Sequence, residues 1–141
     1  MSFQKHSKKH GPDAHLDTAI KIEIEKRGEH NKLPCAVAFT IVEDLGVTPA
    51  EVGKTADLID FELIRCQLGL FGYSPNKKAV KPKESNQQGL KDAISAALID
   101  KKLPCKAAWD IADRFDVPKM TVSGICETMN IKVKPCQLGA F

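Results

Sequence analysis

The chain presents one stretch twice. Lys32 to Phe71 (KLPCAVAFTIVEDLGVTPAEVGKTADLIDFELIRCQLGLF) aligns without a gap to Lys102 to Phe141 (KLPCKAAWDIADRFDVPKMTVSGICETMNIKVKPCQLGAF), at an offset of 70. Leu-Pro-Cys opens both copies and Cys-Gln-Leu-Gly-x-Phe closes both. A repeat of this length means one structural unit used twice, and two copies are too few for a solenoid. The chain therefore reads as a tandem pair or an internal pseudo-dimer. With its lead-in helix each copy spans about 50 residues, near the lower limit for independent folding without metal or disulfides. The copies are expected either to pack on each other or to form compact helical units.

Apolar periodicity sets the elements. Leu16, Ala19, Ile20 and Ile24 recur at helical spacing up to Gly28, and Leu90, Ala93, Ile94, Ala97 and Leu98 do the same in the second copy. Pro34 and Pro104 fit the first turn of a second helix. That helix carries Val37, Ala38, Ile41, Val42 and Leu45, or Ala107, Ala108, Ile111, Ala112 and Phe115. Short breaks follow at Gly46-Val47-Thr48 and Asp116-Val117-Pro118. A third helix then carries Val52, Thr55, Ala56 and Ile59, or Val122, Ile125, Cys126 and Met129. After it, residues 61–65 and 131–134 alternate as short strands do, so a two-stranded ribbon is an option within or between the copies. The expected organisation is a flexible basic arm (1–15), a first repeat (16–71), a Lys/Pro-rich linker (72–88) and a second repeat (89–141).

Helix, tight turn, helix in this residue pattern resembles the helix-turn-helix superfamily of DNA-binding proteins. Ile41, Val42, Leu45, Gly46, Val47 and Val52 fill its positions in the first copy, and Ile111, Ala112, Phe115, Val117, Val122 and Ile125 fill them in the second. The turn needs a residue that accepts positive φ, for which glycine is the least strained choice and aspartate a tolerable one. The resemblance covers about twenty residues of each copy. It implies a mainly α fold of two tandem three-helix units, to which the alternation at 61–65 and 131–134 adds short β segments after the third helix of each.

In such proteins the third helix enters the major groove and phosphates are met by basic residues. The resemblance thus makes the second copy the expected DNA reader. Lys119, Thr121 and Ser123 would face the groove, Gly124 would allow close approach, and Arg114 would meet a phosphate. Charge agrees with this choice. Residues 16–71 hold six basic and ten acidic side chains, whereas residues 89–141 hold eight and six. The linker adds Lys77, Lys78, Lys81 and Lys83 against Glu84, suited to salt-dependent phosphate contact. The first copy is expected to act as a packing or dimerisation unit. An alternative is a protein-interaction module, with an apolar docking surface formed by Leu68, Phe71, Leu138 and Phe141.

Of five cysteines, four are positional twins: Cys35 with Cys105, and Cys66 with Cys136. An odd count argues against a disulfide framework. Three readings stay open. The twins could be small buried hydrophobes. They could be thiols activated by a helix N-terminus. Or each early cysteine could meet its late partner, or all four converge, to hold zinc or an iron–sulfur cluster. Cys126 lies on an apolar stripe and reads as core. His6, His10 and His15 fall in the lysine-rich arm, where solvation is the simpler reading than metal ligation.

Hydrophobic residues make up 43% of the chain and aromatic ones 6%, ordinary values for a soluble globular protein. No apolar run spans a bilayer and no signal-like segment opens the chain, so a cytoplasmic location without membrane contact is expected. With no Gly-rich phosphate loop, no nucleophile motif and no paired carboxylates in a plausible cleft, enzymatic activity and a resident cofactor are not expected.

Overall fold

A computed structural model describes residues 16–75, 77–85 and 87–141. The arm at 1–15, with its lysines and the histidine readings made above, lies outside the described residues. The chain is mainly helical with a few short strands. It divides into two compact units that do not coincide with the two sequence copies. Unit 1 takes the described residues up to Cys66 together with Leu138–Ala140, and unit 2 takes Gln67–Gln137 together with Phe141.

Unit 1 runs α1 (Thr18–Arg27), β1 (Lys32–Pro34), α2 (Cys35–Leu45), α3 (Pro49–Leu58) and β2 (Glu62–Ile64). Asp17 caps α1 by accepting the Ile20 N–H at 3.0 Å. The helix stops at Gly28, where the sequence places its end. A Cβ on Gly28 would lie 2.7 Å from the Phe61 ring, so the chain must be bare there to leave the helix. Between α2 and α3, Gly46 adopts the left-handed conformation (φ 65°, ψ 35°) that the turn requires. Thr48 and Glu51 then form a reciprocal capping box on α3, with bonds of 3.1 and 3.0 Å. Ile20, Ile24, Leu33, Ala38, Ile41, Val52, Ala56 and Leu63 form the core.

Unit 2 contains α4 (Gln88–Ala96), β3 (Lys102–Leu103), α5 (Cys105–Phe115), α6 (Lys119–Thr128) and β4 (Lys132–Val133). Asp116 takes the left-handed position of Gly46 (φ 54°, ψ 48°), as its residue type permits. Leu90, Ile94, Leu103, Ala108, Ile111, Val122, Ile125 and Cys126 fill the core. Cys126 is core, as its stripe indicates, and burial pushes its thiol up to about 11, with Glu127 adding a smaller repulsion.

The ribbon lies within each unit, and its pairing is parallel. Leu33 stands opposite Leu63 and Leu103 opposite Val133. The strands ahead of α2 and α5 are absent from the sequence reading, which starts those helices at the proline. In fact Pro34 and Pro104 are extended cap residues with ψ near 143° and 145°. Pro34 ends β1 and Pro104 directly follows β3, and the cysteine after each begins the helix.

The closing motifs account for the division into units. Leu138, from the end of the second sequence copy, is buried in unit 1, where a Cβ on Gly53 would lie 1.7 Å from its carbonyl oxygen. Leu68, from the end of the first copy, is buried in unit 2, where the Ser123 hydroxyl donates to its carbonyl at 2.6 Å. Gly53 and Ser123 are themselves twins at the offset of 70. The third helix of each unit therefore keeps a small residue at one position to admit the leucine of the other copy's closing motif.

Candidate nucleic-acid interface of the second unit

The linker at 77–85 is ordered in unit 2 as a strap along α6. The Ala79 and Val80 N–H groups donate to the Gly69 carbonyl at 2.8 and 3.0 Å, and Lys83 N–H donates to Gly124 O at 2.9 Å. Thr128 Oγ1 donates to the Lys83 carbonyl at 2.8 Å, Lys78 pairs with Glu127, and the Val80 side chain is buried. The segment shows no core-forming pattern because one buried valine and a set of backbone bonds suffice to hold it. Its lysines remain outward: Lys77, Lys78, Lys81 and Lys83 are all exposed.

Gly124 is the reason the strap fits. A Cβ there would lie 2.8 Å from Lys81 O and 3.0 Å from the Lys83 Cβ. Its twin in unit 1 is Lys54. From the sequence, Gly124 is expected to allow close approach of DNA. Its neighbour is the chain's own strap. Ser123 is corrected likewise: it is 1% exposed, and its hydroxyl serves the Leu68 carbonyl. Neither residue stands on an open groove-reading face.

The other expected contact residues lie nearer the N-terminal end of α6. Arg114, in the last turn of α5, is exposed, with its guanidinium 5.2 Å from the Phe115 ring centre. Lys119 opens α6, with its ammonium 4.7 Å from the Trp109 ring centre, a cation–π arrangement. Thr121 is half-buried. The N-cap of α6 is Pro118, which offers no side-chain bond, and no acid occupies the first turn. The matching end of α3 is closed by the Thr48–Glu51 box. The ends of α3 and α6 therefore differ in kind: one is already occupied by a carboxylate, and the other is open to an anion.

Of the four residues expected to form an apolar docking surface, the two leucines are buried and the two phenylalanines half-buried. Leu68 and Leu138 are 0% and 2% exposed, and Phe71 and Phe141 pack edge to face at 5.7 Å between ring centres. Cys35, Cys66 and Cys105 are buried and Cys136 is half-buried. Among the described residues no group of three or more His, Cys, Asp or Glu side chains is placed to hold a metal ion, and no helix is long and apolar enough to cross a membrane. No family model, curated protein or solved structure matches the chain.

Proposed function

We propose that the protein is a small DNA-binding protein acting in transcriptional regulation and built from two tandem helix-turn-helix units. The second unit contacts double-stranded DNA, and the first serves as its packing or dimerisation partner. The observation that carries this reading is the lysine strap, an exposed basic segment whose backbone is bonded to α6. A lysine on a fixed backbone loses less freedom on meeting a phosphate than one on a loose coil.

The open N-terminus of α6, with Lys119 on it and Arg114 just before the turn, supports the choice of the second unit. The excess of acid in residues 16–71 and the closed end of α3 argue against the first. Phosphate contacts position a protein on a duplex, while base-edge contacts specify sequence. Since the middle of α6 is covered by the chain itself, the main contact is with the phosphate backbone. Lys77, Lys81, Lys83, Arg114 and Lys119 carry it, and Lys119 and Thr121 lie nearest to any base-edge reading.

Amide NMR of the full chain, titrated with a mixed-sequence duplex at low salt, tests the assignment. Shifts should concentrate at residues 77–83 and 114–121 and spare α3. Shifts concentrated in α3, or spread over unit 1, would overturn it.

A further inference from the structure

We infer that Cys105 and Cys136 form a reversible dithiol–disulfide pair in unit 2, a site of oxidation by peroxide. This inference stands apart from the DNA reading. It rests on the ladder between β3 and β4. Leu103 pairs with Val133, and Lys134 N–H donates to Leu103 O at 2.8 Å. The Cys105 N–H then donates to Pro135 O at 3.0 Å, so the first residue of α5 bonds to the residue before Cys136. From the other side, Gln137 Nε2 approaches the Cys105 sulfur at 3.5 Å. Cys105 is thus held between the two chain neighbours of Cys136. Standard bond lengths across that hydrogen bond keep the two Cα atoms within about 7 Å of each other, close to the ~4.4–6.8 Å that a disulfide spans.

Access and environment divide the work between the two thiols. Cys136 is half-buried and can be reached from solvent, whereas Cys105 is buried. Cys105 begins a helix and has the Gln137 amide donor at its sulfur. In the step, the Cys136 sulfur attacks one oxygen of hydrogen peroxide and the O–O bond breaks. Cys136 becomes a sulfenic acid and hydroxide leaves, taking up a proton to give water. The Cys105 sulfur then attacks the Cys136 sulfur, the S–S bond forms and the S–O bond breaks, and the sulfenic hydroxyl leaves with the Cys105 thiol proton as a second water. Two thiols and one peroxide give one disulfide and two waters, with two electrons passing from sulfur to oxygen. Excess dithiol reverses the change by exchange.

The same offset of 31 relates Cys35 to Cys66, each lying one or two residues beyond the paired Pro34 and Ile64 of β1 and β2. Both of its members are buried, so the unit 2 pair reacts first. Cys126 is buried among core residues with its thiol held protonated, and it stays reduced.

The test uses the full reduced chain, treated with one equivalent of hydrogen peroxide, alkylated, and digested with trypsin under non-reducing conditions. The expected product is the peptide Leu103–Lys106 joined to Val133–Phe141, lost again after treatment with dithiothreitol, with Cys126 alkylated. Recovery of Cys105 and Cys136 as separate alkylated or over-oxidised residues would overturn the inference. So would linkage of either one to Cys126 or between chains. Cys136→Ser should abolish the joined peptide while leaving the helical circular dichroism signal in place. A joined peptide that persists in another pairing would equally count against it.

Discussion

At residue scale the third helices explain themselves through three positions. Gly53 and Ser123 admit a leucine carbonyl, and Gly124 admits the strap. Gly53→Ala would set a methyl on top of Leu138 O and force the backbone apart. It should lower the stability of unit 1 by about 1–3 kcal/mol or more, as overpacking does, read by denaturant unfolding. Ser123→Ala is milder in volume but leaves the buried Leu68 carbonyl without its hydroxyl donor, a loss of about 1–3 kcal/mol. A change in unfolding midpoint below the error of the measurement would contradict that assignment. Cys126 supplies a pH prediction. Its thiol stays protonated in the folded chain up to about 11, against an ordinary 9.0. An unfolded chain would release that proton first, so stability contributed by the neutral thiol is intact below pH 9 and falls as pH rises toward 11. Cys126→Ala, the residue already present at the twin position Ala56, should flatten this slope in pH-dependent unfolding.

At the scale of elements, the helices were legible because each spans at least two turns of apolar period. The caps at Gly28, Gly46 and Asp116 were legible because each residue type answers a stated backbone need. Strands β1 and β3 were not, since two or three residues are too few to display a period of two, and the proline that ends β1 or follows β3 looks like the start of a helix. The strap was illegible for another reason. Its order comes from backbone bonds to Gly69 and Gly124, which leave no trace in its own side chains. The candidate site inherits that split. The lysines were visible as charge, but not their attachment to α6, and so the middle of α6 looked open when it is covered. Gly124→Lys, which copies Lys54 of the first unit, should release the strap: amide exchange at Lys83 should accelerate at least tenfold while the α4 core is unaffected. Unchanged protection at Lys83 would show that the strap is held by something other than the bare helix surface.

Across the whole molecule, the repeat predicts two units but not their boundaries, because packing divides the chain at Cys66 and returns Leu138–Ala140 to unit 1. Neither sequence copy holds a complete unit. The consequence is a crossed pattern of mutational effects. Leu138→Ala, in the second copy, should destabilise unit 1 by about 2–5 kcal/mol, and Leu68→Ala, in the first, should do so to unit 2. Hydrogen exchange resolved by segment reads both, and a loss of protection confined to the mutated residue's own sequence copy would contradict the division. The central claim remains that the second unit meets DNA through phosphates. Its most direct test is fluorescence anisotropy of a labelled mixed-sequence duplex, titrated with reduced protein over a series of salt concentrations. The account predicts a log–log salt dependence that is linear and steep, with a slope that falls by about 2 in the Lys81→Ala, Lys83→Ala double variant, near 0.9 per lost phosphate contact. Absence of binding at the lowest salt, or a slope identical in both proteins, would contradict it.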